Sequence, residues 1–289
     1  WGDIVELGQL ADRSCIYFML PIGRWKGYGG DTDYQGETLE TITWASGLLA
    51  ATERITVFGT VHAPMFHPLV AAKQFVTADR IGGGRFGLNI VCGWNEDEFT
   101  MFGAQIREHT QRYEHAEEWL NAIKRAWSPG DDWEFQGDYV QLRDVRAKPK
   151  PAGDARPIVM NAGASPTGQA FAIRNCDALF SMTPKGKLDE FAEHAAHVKA
   201  QARARGRELD VYTVAPITCH QTEMLLKIDN RWLEKMLIVA AIARMIRKIQ
   251  KSRCRAPGVP GPKAAASGQP PAQESLKWAR VRSRYVAVP

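Results

Sequence analysis

The feature that most constrains this chain is an alternation of two periods along its first 217 or so residues. Short, unbroken apolar runs lie near Ile16, Ile55, Phe86, Ile158, Ala178 and Val211. Helical spacing of apolar residues marks 3–13, 39–50, 67–81, 110–127, 165–174 and 188–205. A strand covered on both faces reads as a continuous apolar run, and parallel strands need a helix to return the chain. The pattern predicts a parallel sheet covered by helices, either a doubly wound sheet or a (β/α)8 barrel. The glycine fingerprint of a dinucleotide-binding sheet is missing after the first strand. Six units with long loops after the strands fit a TIM (β/α)8 barrel better. One interruption, 133–140, reads as a hairpin turning at Gly137-Asp138.

Charge divides the chain. The net charge of +5 conceals −5 over residues 1–219 and +10 over 220–289. Residues 231–251 are apolar and basic at helical spacing, and 256–271 are rich in Pro, Gly and Ala, reading as a disordered linker. The basic helix could lie on an anionic membrane or bind nucleic acid. No base-reading motif accompanies it, so packing over an open barrel, or unselected sequence, is the simpler expectation. Cys15, Cys92, Cys176, Cys219 and Cys254 are spread singly, without zinc-ligand spacing, which points to a reducing compartment and no metal site. The opening residues carry acids and no apolar core of a signal peptide. The longest apolar run, 236–243, is far short of the roughly 20 residues that span a bilayer. A cytoplasmic protein is expected. The start at Trp1 reads as a fragment, or a processed or trimmed chain.

In a barrel, chemistry collects on the loops after the strands. The first such loop, 21–30, combines four glycines with Arg24, Lys26, Trp25 and Tyr28 and suits a flat or anionic ligand. The second places His62 directly after a strand, where a catalytic histidine would sit; a hydrogen-bonded structural role is the competing reading. His67 reads as a helix cap. In the third, Asn89 lies inside an apolar strand, so its amide must bridge strands or face a ligand. Gly93 permits close approach of a backbone or ring. The run Glu96-Asp97-Glu98 reads as a solvated, helix-leading acidic stretch. Arg112-Tyr113 opens a helix near the mouth, with an exposed Arg/Glu pair as the plainer alternative. Small residues from Ala162 to Ser165 turn N–H groups toward an anion, although Ser165 could be only an N-cap with Pro166 following.

Together these loops resemble the bacterial luciferase-like family of flavin-dependent monooxygenases, most similar in look to the pyrimidine oxygenases and the alkanesulfonate and dimethylsulfone monooxygenases. The carrying residues are Arg24-Trp25-Lys26-Gly27-Tyr28-Gly29-Gly30, the block from Gly83-Gly84-Arg85-Phe86-Gly87 to Gly93-Trp94, Arg112-Tyr113 and Ala162-Gly163-Ala164-Ser165. The resemblance covers about residues 2–222, which sets the expected division: a flavin-binding barrel over 1–222 and a divergent tail over 223–289. It implies FMN at the barrel mouth, with Gly23 and Arg24 bordering the ring, Asn89 hydrogen-bonding it, Glu98 nearby, Arg112 and Tyr113 at the ring edge or phosphate, and Ser165 on the phosphate. It implies reduced FMN supplied by a separate NAD(P)H-dependent flavin reductase, O2 as co-substrate, a small organosulfur or nitrogen-heterocyclic substrate, and a homo-oligomer in intact members. A deazaflavin-dependent oxidoreductase, or an inactive truncated homologue with an anion-binding tail, are the alternatives. The family's first and eighth strands are not visible, so an incomplete barrel is expected. Val214-Ala215-Pro216 stands where alkanesulfonate members carry Arg-x-His. The loss of resemblance together with the charge jump is what a shifted reading frame past codon 223 would leave.

Overall fold

In the computed structural model, residues 1–31, 33–130, 132–153, 155–181 and 188–214 are described. The features expected over residues 215–289, including the helix 231–251, the linker 256–271 and Ala215-Pro216, lie outside the described residues.

Six strands, β1 (Phe18–Met19), β2 (Thr56–His62), β3 (Phe86–Val91), β6 (Ile158–Asn161), β7 (Ala178–Phe180) and β8 (Asp210–Tyr212), pair in that order, all parallel. They coincide with the six apolar runs. The helices are α1 (Gly2–Arg13), α2 (Thr41–Ala51), α3 (Pro68–Ile81), α4 (Glu96–Met101), α5 (His109–Trp127), α6 (Pro166–Asn175) and α7 (Leu188–Arg203). An antiparallel pair, β4 (Trp133–Gln136) and β5 (Gln141–Val145), stands apart from the main sheet.

Strand alternation sorts the core into two layers. Phe86, Leu88 and Ile90 of β3 join a cluster with Phe75 of α3 and Trp119, Leu120 and Ile123 of α5. The opposite face carries Phe58, Met160 and Ala178, joined by Phe18, Phe180 and Tyr212. The ring of Phe18, on one edge strand, sits 5.3 Å from Phe58 and 5.0 Å from Tyr212 on the other edge strand. Edges of a flat six-stranded sheet cannot meet, so this sheet is curled. It is the incomplete barrel that the sequence led us to expect: a half-barrel with helices on its outer face and a second layer of side chains inside.

Two local expectations need correction. The first strand is two residues long, shorter than the apolar run 16–20. Cys15 at φ 60° and the bond from Ile16 N to Ala11 O keep residues 15–16 in the turn that ends α1, and Pro21 has no N–H to extend the ladder. The second hairpin strand lies beyond residue 140. Three N–H groups, of Asp138, Tyr139 and Val140, all donate to the Glu118 carboxylate at 2.8–2.9 Å and so cannot pair with β4. The acidic run leads a helix as expected: the segment after Trp94 folds into α4, because Asn95 accepts from Asp97 N at 3.2 Å and three acids meet the positive end of the helix.

Asp12, buried at the end of α1, fixes the start of β2. Its carboxylate accepts from the N–H groups of Glu53, Arg54 and Ile55 at 2.7–3.0 Å. Burial alone would raise its pKa, but these three bonds and the Arg54 charge outweigh it and hold the carboxyl below its usual value. A lowered carboxyl pKa contributes stability that is present above the unfolded value of about 3.9 and is lost as pH falls through the folded value. Asp12→Ala should therefore cost about 2 kcal/mol at pH 7. Denaturant unfolding should show the gap between variant and wild type narrowing below about pH 4.

Candidate active site

The C-terminal ends of β1, β2, β3 and β6 open on one mouth, and the loops that leave them carry the polar residues. The register sets adjacent side chains: Thr60 pairs with Asn89, His62 with Val91, and Asn89 with Met160. Asn89 is 6% exposed and donates from Nδ2 to Thr60 Oγ1 at 3.1 Å, so it does bridge two strands. Its Oδ1 has no partner among the described residues. Gly23 lies over Thr60, where an added Cβ would stand 3.0 Å from the Thr60 carbonyl oxygen.

Glu98 corrects the solvated reading of the acidic run. Its side chain is fully buried, whereas Glu96 and Asp97 on the same helix face out. One oxygen accepts from Trp25 N at 3.0 Å and lies 3.6 Å from Arg24 Nη1. The other lies 3.8 Å from His62 Nε2 and has no hydrogen-bond partner among the described residues. His62 is buried beside this pair. Burial pushes its pKa down, the Glu98 charge opposes that, and Arg24 adds to it; the net shift is downward, so the imidazole is neutral near pH 7. Arg24 is further fixed by Gln35 Oε1 at 2.9 Å and sits over the Trp94 ring, 4.4 Å from its centroid.

A second group borders a cleft of about 350 Å³ lined by Val91–Trp94, His109, Arg112, Tyr113 and Asn161–Ser165. Arg112 Nη1 donates to Gly93 O at 2.7 Å, and this bond replaces the surface Arg/Glu pair entertained from the sequence. Arg112 Nε finds no partner among the described residues. Gly93 needs to be glycine: φ is +95°, and a Cβ would meet the Phe99 ring at 2.6 Å. Ser165 caps α6 by accepting from Gly168 N at 3.1 Å, and the same hydroxyl lies 3.2 Å from His109 Nε2. Burial raises the Tyr113 pKa against the pull of Ser165 and Arg112. His67 caps α3 as its position implied.

The expected residues thus fall into two groups. Gly23, Arg24, His62, Asn89 and Glu98 gather at the top of β2 and β3, and Arg112, Tyr113 and Ser165 gather beside the α6 N-terminus. Gly93-Trp94 joins them, through Arg112 on one side and Arg24 on the other. Two residues were missed. His109 precedes Arg112 by three positions on α5, a helical spacing that could have revealed it. Asn161 donates to Ile90 O at 2.7 Å and accepts from Gly163 N at 2.9 Å, shaping the loop into α6. Its sequence signal is an amide ending an apolar strand, the same signal that singled out Asn89. Among the described residues, no cluster of His, Cys, Asp and Glu could hold a metal ion.

The luciferase-like monooxygenase profile matches residues 1–233. The chain belongs to the luciferase-like monooxygenases. It is 31% identical over 222 residues to the pyrimidine monooxygenase RutA of Cronobacter sakazakii, covering 74% of this chain and 63% of that one. It is 32% identical over 219 residues to the FMNH(2)-dependent dimethylsulfone monooxygenase of Pseudomonas putida, covering 75% and 58%. The chain therefore spans about six-tenths of the length of these relatives. In fold it is similar to the EDTA monooxygenase EmoA from Chelativorans sp. BNC1, with a TM-score of 0.69 at 22% identity over 80% of this chain and 60% of that one. That likeness and the curled sheet agree on a luciferase-like TIM-barrel architecture, incomplete among the described residues.

A buried neutral imidazole in this family member has a consequence for stability. A histidine whose pKa is lowered on folding contributes stability that is present above the unfolded value of about 6.5 and is lost as pH falls. His115 behaves alike, pushed down to about 4 by burial and Arg107 against the pull of Glu118. Thermal unfolding should show stability declining from about pH 6.5 downward. His62→Gln should flatten the decline relative to wild type.

Proposed function

We propose that the mouth binds FMN and that the chain is a flavin-dependent monooxygenase. It would take reduced FMN from a separate NAD(P)H-dependent reductase and use O2 to oxidise a small organosulfur or nitrogen-heterocyclic compound. One observation carries this reading. Asn89 Oδ1, Glu98 Oε2 and Arg112 Nε, three of the eight buried polar atoms without partners among the described residues, belong to β3 and the two helices that follow it. A buried acceptor or donor left unmade costs about 1–3 kcal/mol, so three on consecutive elements at the strand ends support a polar ligand that meets them. The names of the relatives, acting on a pyrimidine and on dimethylsulfone, supply the substrate classes.

The residues present fit a flavin with an anionic tail. Asn89 and Glu98 would meet the polar edge of the ring, and Gly23 and Arg24 would border it. Arg112, Tyr113 and Ser165 would hold the phosphate at the start of α6, where the helix dipole favours an anion. His109, within reach of Ser165, would add a donor there. When bound, reduced FMN supplies the electrons that activate O2. The chain supplies binding, orientation and exclusion of water. His62 Nε2 lies 3.8 Å from Glu98 Oε2, and the imidazole is the group placed to exchange a proton with a bound substrate. Arg24, stacked on the Trp94 ring, would border this corner.

Titration of the purified chain with FMN, followed by flavin fluorescence, tests the binding. Ser165→Ala and Arg112→Ala should each weaken it about tenfold, the effect of losing one charge-assisted or phosphate contact. Reductase-coupled oxygen uptake with a panel of sulfones and pyrimidines tests the reaction. His62→Gln should keep FMN affinity and lose about 10²-fold in turnover, the usual contribution of one proton-transfer group. Substrate-independent oxygen uptake across the panel would count against the monooxygenase reading.

A further inference from the structure

The hydrogen-bond directions around Thr60 determine what kind of atom Asn89 presents to the mouth. Thr60 Oγ1 is 2.5 Å from Pro21 O and 3.1 Å from Asn89 Nδ2. A backbone carbonyl can only accept, so the single hydroxyl proton of Thr60 must be spent on Pro21 O. The hydroxyl is then an acceptor toward Asn89. The side-chain amide must turn its NH2 to Thr60, because the reverse orientation would set two lone-pair oxygens against each other at that distance. Its carbonyl is left free, and Asn89 Oδ1 is the buried acceptor without a partner.

Several features hold Thr60 in this role. Its own carbonyl oxygen accepts from Thr41 Oγ1 at 2.6 Å, which ties the strand to α2. Gly23 packs against its methyl, where a Cβ would stand 3.0 Å from Thr60 Cγ2. Thr60 itself is 7% exposed, so no bulk water competes for the hydroxyl. Phe58, one step down the same face of β2, sits over Gly87, where a Cβ would meet its ring at 2.5 Å. Below the polar pair the interior is packed with apolar side chains, which offer Oδ1 no donor.

We propose that Thr60 is a positioning residue that locks Asn89 as an acceptor, so that the site selects a ligand bearing a ring N–H donor at that point. The inference rests on the flavin reading above and sharpens it. Oxidised FMN carries one ring N–H, at N3, and reduction adds others, so the lock makes affinity depend on a ring proton. Thr60→Val keeps the shape of the side chain but removes the hydroxyl, which frees the Asn89 amide to turn and offer either end. Thr60→Ser keeps the hydroxyl.

The test compares binding of oxidised FMN, reduced FMN and 3-methyl-FMN, which lacks the N3 proton, to wild type, Thr60→Val and Thr60→Ser. Wild type should prefer FMN over 3-methyl-FMN, or reduced over oxidised FMN, by about tenfold or more, the discrimination expected when a buried acceptor loses its donor. Thr60→Val should reduce that preference to within about threefold, and Thr60→Ser should restore it. Thr60→Ala, which only deletes atoms, serves in the same way should the valine variant fail to fold. A variant that binds all three ligands more weakly by one common factor, keeping the wild-type preference, overturns the proposal, because that is what structural loosening alone produces. A wild type that binds FMN with neither preference also overturns it. A wild type that binds none of the three removes the flavin reading itself, and the proposal with it.

Discussion

The buried Glu98 carboxylate is the contact on which the mouth depends. It takes an N–H from Trp25, faces the Arg24 guanidinium, and turns its second oxygen to His62. It thereby ties the loop after β1, the end of β2 and the helix after β3 into one unit. An ionised group without exposure is stable only when its oxygens are met by charge and hydrogen bonds. Glu98 meets that condition on one oxygen and leaves the other available. The same contact immobilises Arg24, which in turn supports Trp94 at the edge of the second group. The first group is thus held together by the Glu98 carboxylate, and through Arg24 and Gly93-Trp94 it is joined to the second.

The fold was legible because parallel strands buried on both faces leave a signal that needs no partner to be read. Residues 86–91 read as a strand and form one, and 67–81 and 110–127 shift by a single residue at their starts. Boundaries failed where a side chain distant in sequence decided the matter. The second hairpin strand begins after residue 140 because Glu118, about 20 residues earlier, claims the turn amides. Asn89 was legible as a site residue, since an amide within an apolar strand requires a partner wherever it lies. Glu98 was not legible from its neighbours, because three adjacent acids look alike and only the phase of α4 distinguishes the one that turns inward. The resemblance to the family singled it out, and the structure buries it beside Arg24.

The charge division acquires meaning from the same structure. The described strands and helices lie within the part of the chain whose net charge is −5, so the overall excess of +5 says nothing about the mouth. Positive charge at the mouth comes from Arg24 and Arg112, each held by neighbours and directed inward. Placement, and not net charge, is what would let a slightly acidic body receive an anion.

Amide hydrogen exchange of the chain with and without FMN shows whether the flavin occupies the strand-end mouth. FMN bound there should add protection at residues 22–26, 89–95 and 162–168. The outer clefts at 143–149 and 150–156, which lie on the hairpin side and near the base of the sheet, should be unchanged. Protection confined to those outer clefts, with the three mouth segments exchanging as before, would contradict it.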